Sequence, residues 1–292
     1  MLGFKWLDRV AVRATDDFKE GNVSVLYSND IERFDEEPLE KDRQFVTALA
    51  RGLELLRCFG PGERYLGVTE LARRTGIPKP TVSRLAGTLT KLGYLDFSEE
   101  HGRYCLGSGV LSLGYAMLSN LDVRRVARPF MQELAEFSRA SVSIGVRDRL
   151  SMVYVETVRS SAPIALQHGV GARLPLATTS IGRAYLAAIP EPDRNFLLDQ
   201  IRIRDEAQWP RIKAGIEQGL RDYEDRGFCL SLGEWNPEIV GVGVAIAGLD
   251  DSITAFNCGG PAYILTREKL ENEIGPRLVS LVKRIGNLMG RP

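Results

Sequence analysis

Residues 66–95 read LGVTELARRTGIPKPTVSRLAGTLTKLGYL. Two helical runs flank the short break TGIP. Thr69 suits the cap of the first run, and Glu70 falls in its first turn, where the helix dipole favours a carboxylate. Gly76 suits the left-handed position that closes this helix after about seven residues. Pro80 suits the opening of the second run, which extends to Leu92 with Gly93 as its stop. Within it Val82, Leu85, Leu89 and Leu92 recur at spacings of three, four and three, the pattern of one buried stripe. Thr81, Arg84, Thr88 and Lys91 repeat that spacing. Arg84 lies about 200° around the helix from Val82, at roughly 100° per residue. The polar row therefore turns away from the core, and it holds hydrogen-bond donors and no acid.

A helix of this kind docks by its apolar stripe and offers the other flank to a DNA major groove, where Arg pairs with guanine and Thr touches a base edge or a thymine methyl. Lys79, Thr81 and Ser83 sit near its start, where backbone N–H groups favour phosphate. Arg73 and Arg74 close the preceding helix and are candidates for the phosphate backbone, as is Arg103. Two blander readings compete, a solvated helix face and a protein-interaction surface. The surroundings favour double-stranded DNA. Phe45, Leu49, Leu53 and Leu56 predict an earlier helix ended by Gly60-Pro61-Gly62, and YLDF and RYCLG flank the turn SEEHG as a hairpin. Helix, short helix, turn, helix, hairpin is the order of a winged helix-turn-helix. Glu99 and Glu100 limit what the hairpin tip contributes on a polyanion.

Charge is distributed to match. Net charge is zero over the 292 residues, but residues 1–40 carry five Lys and Arg against ten Asp and Glu, and residues 41–106 carry eleven against seven. A modestly basic segment follows an acidic extension of unassigned role, in which VSVLY (Val23 to Tyr27) suggests a short strand or extended arm.

Beyond the hairpin a helix is expected over Ser108–Asn120, with Val110, Leu113, Met117 and Leu121 on one side. Another follows over Val123–Arg139, with Val126, Phe130, Leu134 and Phe137 on its apolar face. SVSIGVRD and LSMVYVETV then alternate like antiparallel strands; TSIGRAYLAAI, EPDRNFLLDQI and WPRIKAGIEQGLRDYEDRG read as helices. VGVGVAIAG and SITAFNCGGP read as strands, and REKLENEIGPRLVSLVKRIGNLM as one closing helix. The expected class is α+β. Residues 41–107 form the winged helix-turn-helix, 108–121 a linker helix, and 122–292 a mixed domain.

Enzyme signatures are weak. GVGVAI begins like a dinucleotide fingerprint, but Ile246 takes the third glycine position. There is no Walker motif and no G-x-S-x-G elbow. Cys58, Cys105, Cys229 and Cys258 form no C-x-x-C pair, and His101 and His168 are the only histidines, so no metal, cofactor or catalytic residue is expected. The alternative kept open is a metabolite-converting enzyme with an appended DNA-binding or interaction domain. The longest apolar run, Gly241 to Leu249, is too short for a membrane span, and the start lacks a signal-peptide core with a cleavage site. A cytoplasmic protein is expected.

ALARGLELLRCF, VTELARRTGIPKPTVSRLAGTLTKLGYL and GRYCLGSGVLSLG together resemble the N-terminal domain of the IclR family of bacterial transcription regulators. GARLPLATTSIGRAYLA, RGFCLSLGEWNPEIVGVGVAI and ITAFNCGGPA resemble the family's C-terminal, effector-binding domain, so the likeness spans residues 43–290. It implies a winged helix-turn-helix, a linker helix used in dimerisation, a GAF-like domain that binds a small molecule, and homodimers or homotetramers on DNA. LGYAMLS and RLPLATTSIGRAYLA are most similar to the regulators of aromatic-acid catabolism.

A carboxylate site is expected where ATTS precedes the helix IGRAYLA, because a helix start offers N–H groups and Thr179 or Ser180 adds a hydroxyl. The resemblance carries effector contact onto Ser180 and Ile181, and onto Glu234, Gly241, Asn257 and Gly259. Gly241 and Gly259 lack side chains that some relatives have, which implies room for a ring. Ser180 as a plain helix cap, Asn257 as a strand-end polar group and Glu234 as a surface residue are the competing readings.

Overall fold

The computed structural model describes residues 45–161, 168–248 and 252–290, in two compact units that divide after Gly109. The arm expected at Val23–Tyr27 and the acidic stretch around it lie outside the described residues.

In the first unit, α1 (Thr47–Arg57), α2 (Val68–Thr75) and α3 (Lys79–Lys91) precede a hairpin of β1 (Leu95–Ser98) and β2 (Arg103–Leu106). The strands pair antiparallel from Leu95↔Leu106 to Ser98↔Arg103, and Leu66 adds one bridge to Tyr104. That bridge explains why α2 starts earlier than expected. With Leu66 tied to Tyr104, the chain enters the helix directly after Gly67, so Gly67 is the N-cap and Thr69 lies inside the first turn. Gly76 closes α2 at φ +72°, as its position required.

Leu55, Leu71, Ile77, Val82, Ala86, Leu89 and Leu95 form the core of this unit. Each large apolar side chain buried here contributes on the order of 2 kcal/mol. Two expected stripes shift. In α1 the inward row is Gly52, Leu55 and then Cys58, while Leu49 and Leu53 are 63% and 50% exposed. The sequence offers α1 two apolar rows, and contact with α2 and α3 selects the second. In α3 the row is Val82, Ala86, Leu89, and Leu92 is exposed because the helix ends there and turns at Gly93.

Helix α4 (Ser108–Ser119) starts just before the division and continues into the second unit, where α5 (Asp122–Ser138) follows. No residue of α4 is buried, and the expected stripe leaves Leu113 and Met117 exposed. In α5 the buried row is Val123, Ala127, Met131, Leu134 and Ser138, one register away from the expected one. Of the predicted residues only Leu134 is buried. Phe130 and Phe137 stand at the flank, each under a guanidinium, Arg284 at 4.2 Å and Arg277 at 4.0 Å from the ring centroids.

A six-stranded antiparallel sheet follows, in the order β5-β4-β3-β8-β7-β6. Its strands are β3 (Ser141–Asp148), β4 (Ser151–Arg159), β5 (Arg173–Pro175), β6 (Cys229–Leu232), β7 (Ile239–Ala247) and β8 (Ile253–Pro261). The two short edge strands, β5 and β6, carried too few residues to show alternation. Helices α6 (Ser180–Ala188), α7 (Glu191–Arg204) and α8 (Trp209–Arg226) separate β5 from β6. One core lies between the sheet and α5 with α10 (Gly275–Leu288); the other includes α6, α7 and α8.

The closing helix is not continuous. A short α9 (Arg267–Lys269) passes through one π turn, Leu270–Ile274, into α10. Gly275 is pressed so closely on Phe228 that a Cβ would stand 2.7 Å from the ring, and Pro276 lacks the N–H that would continue the ladder.

Candidate functional site

The outer flank of α3 is exposed as its spacing required. Lys79, Ser83, Arg84, Thr88 and Lys91 are exposed and Thr81 is half-buried. Lys79, Arg84 and Lys91 have no ion-pair partner among the described residues. Thr88 donates its hydroxyl to the Arg84 carbonyl at 3.1 Å, which leaves its lone pairs and methyl facing outward. The three-residue turn between α2 and α3 is fixed by Ile77, which is buried and donates its N–H to the Thr75 hydroxyl.

The two arginines that close α2 differ. Arg73 is 71% exposed and forms a two-pronged contact with Glu70. Arg74 is only 14% exposed: it pairs with Glu63 and Glu70 and donates to the Cys58 carbonyl. It fastens α2 to the end of α1 and to the loop that follows, so its guanidinium is engaged inside the unit. On the hairpin, Arg103 is exposed, and His101 stacks on Tyr65 with ring centroids 4.5 Å apart.

The second feature is a recess in the sheet domain. Its lining includes Ser141 and Ser143 of β3, Tyr154 of β4, Thr179 and Ser180 at the start of α6, Gly241 of β7, and Asn257 and Gly259 of β8. Leu174, Trp235, Ile239 and Val240 give it apolar walls, and His168 and Ser231 complete its polar lining. Five of the seven expected residues thus come together. Ile181 and Glu234 are not in the lining. Ile181 is fully buried in the core beneath, against Gly145. Glu234 is held by the buried Arg183, with Nη1 to Oε1 at 2.8 Å, and also accepts from Ser231 and the Leu232 N–H. Burial works to raise the Glu234 carboxyl, but Arg183 holds it below the ordinary carboxylate range.

The start of α6 is built by contacts no sequence spacing announces. Thr179 is the cap: its hydroxyl accepts from the Gly182 N–H and donates to the Pro175 carbonyl at 2.7 Å. Ser180 is therefore the first helical residue, and Thr179's hydroxyl is already engaged. A Cβ on Gly241 would lie 2.9 Å from the Cys258 carbonyl and 3.1 Å from Ser180 Oγ; one on Gly243 would lie 2.3 Å from the Ser180 carbonyl. The glycines let the helix start rest on β7. The room expected at Gly241 is filled by this close approach.

Among the described residues the lining holds no Lys, Arg, Asp or Glu. Its ionisable groups are Tyr154, whose hydroxyl burial pushes up to about 12 despite hydrogen bonds with Asn257 and Ser143, and His168, lowered by burial and by nearby Arg159. Ser141 Oγ and Asn257 Oδ1 are buried without a hydrogen-bond partner. Buried polar atoms are nearly always satisfied; here Ser141 has a hydroxyl able to donate or accept and Asn257 Oδ1 is able to accept. Alternation in SVSIG is the signal for the serines: Val142 faces the core, so Ser141 and Ser143 share the other face. Tyr154 comes in on the strand paired next to β3, whereas His168 and Trp235 lie outside the named strands and helices and carried no periodic signal.

A winged helix-turn-helix with an outward polar flank, joined to a separate domain with a recess, defines a DNA-binding regulator with a sensory domain. The sequence matches agree. Residues 48–98 match the IclR helix-turn-helix domain, and residues 115–286 match the bacterial transcriptional regulator IclR C-terminal domain. The chain belongs to the IclR family, and it is a transcription regulator rather than an enzyme. It is 34% identical to the HTH-type transcriptional regulator TsaQ1/TsaQ2 of Comamonas testosteroni, over 84% of this chain and 89% of that one. It is 28% identical to the p-hydroxybenzoate hydroxylase transcriptional activator of Acinetobacter baylyi, over 85% and 94% of the two chains. The crystal structure of an IclR family transcriptional regulator from Brucella abortus superposes with a TM-score of 0.79 at 50% identity, covering 88% of this chain and 98% of that one. No helix among the described residues is long and apolar enough to cross a membrane.

Proposed function

We propose that this regulator binds operator DNA through α3 as a cytoplasmic homodimer or homotetramer, and that a small carboxylate metabolite seated in the recess controls the binding. The observation that carries the second part is the hydroxyl-rich recess at the start of α6, which has no Lys or Arg among its described lining residues and an unmet Ser141 hydroxyl; the unmet Asn257 Oδ1 only accepts, and so suits a hydroxyl of the ligand. A monoanion there is held by helix N–H groups and hydroxyls instead of an ion pair. The walls of Leu174, Trp235, Ile239 and Val240 suit an aromatic ring, in keeping with the name of the A. baylyi relative.

Base contact falls to Arg84 and Thr88, with Thr81 at the edge of the flank, and phosphate contact to Lys79, Ser83, Lys91, Arg73 and Arg103. Arg74 leaves that set because its donors hold the unit together. The unpacked faces of α4 and α1 support self-association.

The test is a thermal-shift screen of benzoate, 4-hydroxybenzoate, protocatechuate, pyruvate and glyoxylate, followed by gel shifts on the DNA upstream of the chain's own gene. A monocarboxylate that raises the melting temperature and changes operator affinity supports the reading. Saturable DNA binding that no acid alters defeats the regulatory part.

A further inference from the structure

The pairing of β3 with β4 shifts between Ile144 and Gly145: Ile144 faces Glu156, Gly145 faces Tyr154, and Val155 is the extra residue. A bulge of this kind reverses which face the following residues occupy. Before it, Tyr154 lines the recess. After it, Thr157 faces the recess side, its hydroxyl 3.1 Å from that of Ser143, and Glu156 points to the opposite face, under α5. Without the bulge Glu156 would fall on the same face as Tyr154.

Glu156 is a carboxylate buried to 6% exposure. It accepts the Thr157 N–H at 3.2 Å and Arg128 Nη1 at 2.7 Å, and it forms an ion pair with Arg124 Nη2 at 3.2 Å. Arg124 in turn donates its Nη1 to the Leu118 carbonyl at 3.0 Å. Leu118 belongs to the last turn of α4, and its carbonyl also accepts the Leu121 N–H at 3.3 Å. One guanidinium thus clasps the end of the linker helix with one nitrogen and a buried carboxylate of the sensory sheet with another. A chain of contacts runs from Ser143 in the recess to α4: the Ser143 hydroxyl bonds the Thr157 hydroxyl, the Thr157 N–H bonds Glu156, Glu156 forms an ion pair with Arg124, and Arg124 bonds the Leu118 carbonyl.

We infer that Glu156 and Arg124 couple the recess to the linker helix, so that occupancy of the recess resets the hold on the end of α4. The inference rests on the recess being the regulatory site. Arg128 supplies an internal control. It contacts the same carboxylate, is 61% exposed, and makes no bond to α4 among those described.

Hydrogen exchange on the full-length protein tests the coupling with no ligand needed. Asn257→Leu fills the recess with an apolar side chain, and Asn257→Ala is the milder alternative. Either is expected to change exchange severalfold in peptides spanning residues 110–121. In a Glu156→Gln or Arg124→Gln background that response disappears, whereas Arg128→Gln preserves it. A response that persists in both the Glu156→Gln and Arg124→Gln backgrounds, or no linker response to a recess variant that stays folded, overturns the coupling. Acid titrations of operator binding separate the two levels. An acid that still alters operator affinity in Glu156→Gln contradicts the relay and leaves the regulatory reading intact. If no acid alters wild-type operator affinity, the reading fails and this inference fails with it.

Discussion

At Arg74 a cation that sequence assigns to DNA proves to be a structural fastener, and its acids record the fact. Hydrogen bonds from Arg73 and Arg74 hold Glu70 down to about 2, and the bond from Arg74 holds Glu63 below its ordinary range. A carboxylate depressed in the folded state contributes stability that is present above its unfolded value, near 4.5, and is lost as pH falls toward the folded value. Circular dichroism melts of the full-length protein are therefore expected to show a melting temperature that falls between pH 4.5 and about 2, and falls less steeply in Glu70→Gln. The effect is modest, because these carboxylates are partly exposed and screened. An equal fall in both proteins would contradict the assignment. Residue type and spacing made Arg84, Thr88 and Lys91 legible, since helical period alone decides which flank they occupy. They could not separate Arg74 from Arg73, because the loop carboxylate of Glu63, eleven residues away, makes that difference.

At the scale of elements, the seat of α6 on β7 decides whether the recess exists. Gly243 has no room for a Cβ, which would stand 2.3 Å from the Ser180 carbonyl. Gly243→Ala is expected to lift the helix start, destabilise the protein by roughly 1–3 kcal/mol and weaken any acid that binds there. Thermal melts and calorimetric titration check it; unchanged stability with unchanged acid affinity would refute the seating role. The strand VGVGVAIAG was readable from alternation and length, but the reason for its glycines was not, because the helix they admit is remote in sequence. The same limit explains α1 and α5. Each has more than one apolar row, and the row that turns inward is chosen by a neighbour the local pattern does not contain. The π turn before α10 escaped notice for the same reason, since it answers to Phe228.

At the scale of the whole molecule, the order of domains was legible because each leaves its own period in the sequence, and the resemblance to IclR regulators ran through both in order. The assembly was not legible from the packing of one chain. Leu111, Leu113, Tyr115 and Met117 are 48–74% exposed on α4, more apolar surface than one helix ordinarily leaves in water. Leu113→Lys is accordingly expected to shift light-scattering mass toward the monomer, and a mass identical to wild type at micromolar concentration would remove α4 from the interface. In the proposed dimer, operator recognition depends on two outward α3 flanks. The most direct measurement is quantitative footprinting of wild type and Arg84→Ala on the upstream DNA of the chain's own gene. The account predicts a loss of about 1–3 kcal/mol in operator affinity and relaxed preference at one base position in each half-site, with the melting temperature unchanged. An Arg84→Ala protein with the same footprint, affinity and base preference would contradict it.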